Sequence, residues 1–402
     1  MRKFCSLMLC MIVASGLGFA ADDSGEKKEQ WYDKIDFGGD LRLRYEGFNW
    51  PDHFDDGSRH RFRFRFRVGF KAQVMDNLKV GFQLRSGNPD NPISDNQSLD
   101  TGFDKKTISI SEAYADWQAT KYFALIAGKF APKKLWSASD LQWDDDVVVE
   151  GAMQNFDWKF GGLLKKLDVN VWQFVMNESG SGRDSYSFGG QIVPVFGLGE
   201  KNDLAVGLSY ETFVEPSEVA ELYFDGDLDI DSGYVTNLVD PDTLQLVSDF
   251  NVGSAFAEWK NNSIENWPIK VTLYTYKNFG AEDAVGAIVP APLPEDPVTP
   301  LITASASEND TAFFGRIQIG DYKKPGQVAV RFSRYDSKPD AMFFAYSQSD
   351  SRRSTNVDGY RADVRIGMPM KDFINLTWYQ TDWTIGEDTT MDRWQVDYIF
   401  NF

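Results

Sequence analysis

Residues 60–71 run His60-Arg61-Phe62-Arg63-Phe64-Arg65-Phe66-Arg67-Val68-Gly69-Phe70-Lys71, apolar at every second position and cationic at nearly every position between. Successive side chains of a strand point to opposite faces, so this segment has an aromatic face and a guanidinium face. In a water-soluble sandwich the aromatic face would be the core, and an unbroken arginine row would be left on the solvent side. A barrel wall in lipid accommodates both faces, with phenylalanines outward in hydrocarbon and arginines inward in a water-filled channel.

The start of the chain indicates where such a wall is built. Met1-Arg2-Lys3 precede an apolar run from Phe4 to Leu17, and Gly18 and Ala20 put small residues at the two positions that matter for cleavage. Residues 1–20 are expected to be a secretory signal peptide, cut after Ala20; the run is short for a membrane anchor. Cys5 and Cys10 both fall inside it, and Leu7-Met8-Leu9 lack the small residues of a lipoprotein site. The mature chain then holds no cysteine, which excludes a disulfide framework and a thiolate metal site. No later apolar stretch approaches the ~18 residues of a spanning helix. Aromatic residues make up 15% of the chain, yet mean hydropathy is −0.39. A barrel produces that combination, because only alternate residues meet lipid. A net charge of −19 argues against nucleic acid as a partner, since phosphate binding needs clustered positive surface.

Period-2 segments recur through the mature chain, and no amphipathic helix is evident. The pattern predicts an all-β, antiparallel transmembrane barrel of about sixteen strands. They are expected over 35–47, 59–75, 77–86, 106–118, 121–130, 147–159, 166–177, 184–196, 202–214, 250–261, 267–279, 309–321, 327–336, 356–369, 371–384 and 391–402. The connections alternate short and long. Short ones fall at Asp76, 119–120, 160–165, 197–201, 262–266, 323–326 and Met370; long ones at 48–58, 87–105, 131–146, 178–183, 215–249, 280–308, 337–355 and 385–390. Outer-membrane barrels sort their loops this way, with short periplasmic turns and longer extracellular loops. Residues 21–34 read as a short periplasmic lead, and 35–402 as the barrel. The final strand, from Arg393 to Phe402, carries aromatic or apolar residues at every even position. Its Tyr398, Phe400 and Phe402 resemble the assembly signal of bacterial outer-membrane proteins, which implies the barrel-assembly machinery as a partner.

The same alternation assigns the lumen. Leu41, Leu43 and Tyr45 outward put Arg42 and Arg44 inward. Phe62, Phe64, Phe66 and Val68 outward put Arg61, Arg63, Arg65 and Arg67 inward. The next strand adds Lys79 and Arg85; the C-terminal strands add Arg361, Arg365 and Arg393. Closure of last strand on first gathers these into one basic wall. Crowded arginines need water, anions or carboxylates beside them, and Asp36, Asp40, Glu46, Asp363 and Asp397 are available. Two readings stay open: a selective positive field, or arginines that only keep a lumen wet. The third long loop, 131–146, has the aromatic and acidic content of a segment folded into a pore, and its Asp140, Asp144, Asp145 and Asp146 would oppose the wall and set a transverse field.

Gly128-Lys129-Phe130, Leu141-Gln142-Trp143-Asp144-Asp145-Asp146 and Glu150-Gly151, with the N-terminal Gly38-Gly39-Asp40-Leu41-Arg42-Leu43-Arg44-Tyr45, resemble the pattern of the bacterial putative-porin family. The resemblance implies a sixteen-stranded outer-membrane pore and leaves the solute open; porins of this size are often trimers. Val147-Val148-Val149 replaces the Leu-Asn-Pro-like residues of the motif, and the longer N-terminal helical segment of many members is missing.

Other chemistries are weaker. Asp144-Asp145-Asp146 and the run Asp225–Asp231 offer hard oxygen ligands for calcium, but the second has Ile230 where an EF-hand needs glycine. The only histidines, His53 and His60, lie near Asp52, Asp55 and Asp56, and neither a Gly-x-Ser-x-Gly nor a His-Glu-x-x-His motif is present. The expectation is therefore a non-enzymatic, cofactor-free outer-membrane porin that passes small hydrophilic solutes or ions by passive diffusion. The alternatives are an anion- or acidic-solute-selective channel, a barrel hydrolase, and a surface adhesin working through loops 215–249 and 280–308.

Overall fold

The computed structural model describes residues 31–51, 57–134, 136–180, 182–229, 234–291, 293, 301–352, 355–386 and 389–402. The expected signal peptide, most of the lead, His53 with its neighbouring acids, and the proline-rich stretch 294–300 lie outside the described residues. Trp31–Lys34 form one 3-10 turn.

The first strands are β1 (Ile35–Asn49), β2 (Ser58–Met75), β3 (Leu78–Ser86), the two-residue β4 (Gln97–Ser98), β5 (Ile108–Thr120), β6 (Phe123–Phe130) and β7 (Val149–Lys159). There follow β8 (Leu164–Asn177), β9 (Ser185–Gly197), β10 (Asn202–Val214), helix α1 (Pro216–Phe224), β11 (Tyr234–Val239), β12 (Asn251–Asn261) and β13 (Ile269–Asn278). The last are β14 (Val285–Pro290), β15 (Ile302–Ser305), β16 (Thr311–Gly320), β17 (Val328–Ser337), β18 (Val357–Gly367), β19 (Phe373–Trp383) and β20 (Met391–Asn401). Leaving out β4, β11, β14 and β15, sixteen strands each pair with the next in an antiparallel, closed barrel. β20 returns to β1 in the register Leu43↔Tyr398 and Arg44↔Asp397. Beyond the ladder, the Gly39 amide donates to the Phe402 carbonyl at 2.9 Å. The sheet closes on itself and leaves no free edge among the described residues, the condition for crossing hydrocarbon.

Burial is inverted relative to a water-soluble protein. Phe62 is 61% exposed and Leu208 59%, whereas Arg63, Arg65 and Arg361 are each under a tenth exposed. The outward apolar residues cover the face that lipid would solvate, and the polar side chains are packed inside.

The interior has two halves. Phe213, Val252, Phe256, Tyr274, Tyr276, Phe314 and Tyr335, inward from β10, β12, β13, β16 and β17, form one apolar cluster with α1, with β11 and with Met342-Phe343-Phe344 of the 338–356 connection. The arginine strands β1, β2, β3, β18 and β20 make the other half. Two sequence expectations are corrected here. α1 is a genuine helix, with Pro216 at its start and Val219, Ala220, Tyr223 and Phe224 buried. Its nine residues are too few to establish a 3.6-residue period in an acid-rich loop. The long loops 215–249 and 280–308 are also not plain loops: β11, β14 and β15 pair into a separate three-stranded sheet.

Candidate functional site

Adjacent inward positions on one strand lie about 7 Å apart, so two bare guanidiniums there repel by about 2 kcal/mol at an effective dielectric near 20. The lumen answers with carboxylates. Glu46, fully buried, binds Arg61, Arg63 at 3.4 Å and Arg393 at 2.8 Å. Asp40 binds Arg65 and Arg67, each at 2.7 Å. Asp397 takes Arg44 at 2.6 Å, and Asp363 takes Arg361 at 2.7 Å and Arg331 at 2.9 Å. Arg42 donates to Asn96 at 2.5 Å, and Arg365 to the Tyr322 hydroxyl at 2.7 Å. Asp36, expected among the neutralising acids, makes no ion pair among the described residues.

The connection 131–148 supplies further acids from inside the barrel. Asp146 reaches Arg65 at 3.0 Å, Arg67 at 3.5 Å and Arg42 at 4.0 Å, while Arg85 donates to its backbone carbonyl at 2.7 Å. Asp140 pairs with Arg316, with Arg361 at 3.4 Å and with Lys133 at 3.7 Å. Burial alone raises both carboxyls, but the cations outweigh it and hold both well below the usual carboxylate range. Asp144 makes no ion pair among the described residues; burial and the adjacent Asp146 push it well up, and it accepts from the Asp146 and Ser349 amides. Asp145 is exposed and pairs with Lys133 at 2.8 Å. Of the four predicted acids, two touch arginines directly and two do not.

The loop is held from its other side. Tyr276 donates to Ser139 Oγ at 2.7 Å, Gln142 to Glu211 at 2.8 Å, and Gln191 to the Ser137 carbonyl at 2.7 Å. Trp136 meets Trp172 edge-on, with centroids 4.0 Å apart. The family-like motif brackets this loop: Gly128 pairs with Gly151 and Lys129 with Glu150 across β6 and β7, with a 2.5 Å ion pair. Both glycines have φ beyond +100°, and a Cβ on Gly151 would stand 2.1 Å from the Gln173 carbonyl oxygen. The loop's two ends therefore meet as a strand pair that only glycine permits.

A second segment enters the lumen unannounced by the sequence. Within 338–356, Tyr346 stacks on Trp143 at 5.0 Å, and Asp350 binds Arg393 at 2.7 Å and Arg44 at 3.2 Å. Asp95, from the connection 87–107, takes Arg85 at 2.7 Å. Arg316 and Arg331 were also missed, although the outward run Phe313, Ile317, Ile319, Val330 and Phe332 implies them by the same alternation. A cavity of about 120 Å³ is lined by Arg42, Arg65, Arg365, Asp145, Asp350 and Asn375, among others.

His60 lies outside this network, its ring exposed and bonded to the Tyr45 hydroxyl at 2.9 Å. Among the described residues no group of three or more His, Cys, Asp or Glu is arranged to hold a metal.

A family model described as putative porin matches residues 48–220, which include the arginine strand and the whole inward loop. No curated protein matches the chain. Among solved structures, OmpF of Salmonella typhi, in complex with daunomycin, is 12% identical, with 93% of this chain and 100% of that one covered and a TM-score of 0.53. The outer-membrane channel DcaP of Acinetobacter baumannii is 10% identical over 92% of this chain and 97% of that one, with a TM-score of 0.47. A mutant porin of Rh. blastica is 10% identical over 91% and 100%, with a TM-score of 0.44. The OmpF likeness is one of fold, a closed sixteen-stranded antiparallel barrel. The family match covers residues 48–220, less than half of the chain, and the solved structures establish the barrel fold.

Proposed function

We propose that this barrel passes small hydrophilic solutes by passive diffusion, through a lumen narrowed where the loop 131–146 meets the arginine wall. The observation that carries the reading is the direct pairing of Asp146 and Asp140, delivered by one inward loop, with Arg65, Arg67, Arg316 and Arg361. Nearly every guanidinium has a carboxylate, so the wall keeps the passage wet and charged without a large net field, and ion preference is weak. The outward apolar face is solvated by outer-membrane lipid. Tyr398, Phe400 and Phe402 are the segment offered to the assembly machinery, residues 1–20 direct export, and trimerisation follows the porin pattern. An adhesive role is disfavoured because α1 and β11 bury their side chains in the barrel's apolar cluster.

The test is single-channel recording in planar bilayers. The expected result is a stable channel with a reversal potential near zero across a salt gradient. Asp350→Asn, which removes a carboxylate shared by Arg44 and Arg393, shifts that potential toward anion preference. Absence of conductance from the folded protein overturns the reading, and a strong anion preference in the unmodified protein replaces it with the anion-selective channel.

A further inference from the structure

The carboxylates do not reach every guanidinium. Among the described residues Arg365 has no carboxylate within ion-pair distance, and the one nearest Arg42 is Asp146 at 4.0 Å. Arg365 is instead held by uncharged groups. Its Nε donates to Asn375 Oδ1 at 3.2 Å and its Nη1 to the Tyr322 hydroxyl at 2.7 Å. Its guanidinium carbon lies 5.0 Å from the Tyr322 ring centroid and 5.6 Å from that of Phe373. Nη2 has no hydrogen-bond partner among the described residues. The side chain is half-buried and lines the 120 Å³ cavity, at the short-turn end of the barrel near the close of β18.

This cation, fixed by two rings and an amide in a partly desolvated site, feels the Asp363 carboxylate only at a distance, because Arg361 and Arg331 take the direct contacts of Asp363. Arginine's planar fork matches a carboxylate. Arg42 lines the same cavity, Asn96 and Gln395 add amide groups, and Phe373 and Ile399 add an apolar patch. The five acids on that lining are engaged: Asp397 by Arg44, Asp350 by Arg44 and Arg393, Asp146 by Arg65 and Arg67, Asp145 by Lys133, and Asp144 by two backbone amides.

We propose that Arg365, with Arg42 in the same cavity, forms a binding site for a small planar carboxylate carrying an apolar body, an aryl carboxylate, at the short-turn end of the lumen. The carboxylate takes Nη2, and the ring lies toward Phe373 and Ile399. The proposal rests on the pore reading and adds a solute class to it.

Benzoate is the probe, added to the full-length protein in planar bilayers carrying chloride current. The expected result is a saturable, concentration-dependent block. Arg365→Gln raises the half-blocking concentration roughly ten- to a hundredfold, the loss of one charge-assisted hydrogen bond. Arg365→Lys, which keeps the charge but not the fork, recovers part of the block. Block is scored against each variant's own open current, so a channel of altered conductance still reports. An unchanged block in both variants, equal block by benzyl alcohol, or equal block by inorganic phosphate overturns the site. Chloride current with no benzoate effect overturns the site alone, whereas no current at all overturns the pore reading with it.

Discussion

Asp95 and Asp146 share the arginines of β2 and β3, yet only one of the two is held low. Burial and the Asp146 carboxylate push Asp95 up to about 7, against the pull of Arg85, Arg67 and Arg65. Between its ordinary value and about 7 the folded chain keeps a proton that the unfolded chain has lost. The native state binds more protons in that window, so this group's contribution to stability falls as pH rises through it. The same proton sets lumen charge: below about 7 Asp95 is neutral and Arg85 loses a counter-ion. Anion preference is therefore expected to rise as pH falls through this range, measured as reversal potential against pH. Asp95→Asn removes the step, and a step that survives it assigns the titration to another acid. At this scale the inward arginines were legible, because alternation is a local property. Asp350 and Asp95 were not: each is one acid among many in a loop, and only the folded path carries it to an arginine.

At the scale of elements, each of the sixteen barrel strands lies within a few residues of where alternation places it. A half-lipid, half-lumen strand advertises itself in every residue pair. α1 and the sheet of β11, β14 and β15 escaped, since short elements that pack on other loops owe their stability to tertiary contacts more than to local pattern. The inward loop was legible in composition but not in attachment. Its hinge is Trp143, 2% exposed and stacked on Tyr346, which ties the loop to the 338–356 segment. Trp143→Ala removes that support, at about 3–5 kcal/mol for a buried tryptophan. The expected outcome is a barrel that still folds, with a larger and more variable single-channel conductance. Unaltered, quiet conductance would mean that the loop is held well enough by its hydrogen bonds to β9, β10 and β13.

At the scale of the whole molecule, closure depends on the C-terminal strand. The Tyr398 and Phe400 rings meet tilted, with centroids 4.2 Å apart, and the Phe402 ring stacks on Phe66 at 6.2 Å. Deleting Phe402 removes the 2.9 Å bond to Gly39 and the last ring of the aromatic series. The expected result is a several-fold drop in outer-membrane protein, read by fractionation, and equal accumulation would separate closure from the aromatic terminus. The amino-acid sequence by itself determined the barrel, its strand count, its two faces and the sorting of its loops, because lipid imposes a period-2 code on each strand independently. Tertiary structure alone decided how open the lumen is. Which loops turn inward, that one half of the interior fills with aromatic side chains, and which acid meets which arginine all depend on contacts between residues far apart in the chain. The alternating Arg61–Arg67 row makes the point: its direction followed from the strand and Asp40 and Glu46 sit on the neighbouring β1, but Asp95 and Asp146 reach it only once two loops have folded into the barrel.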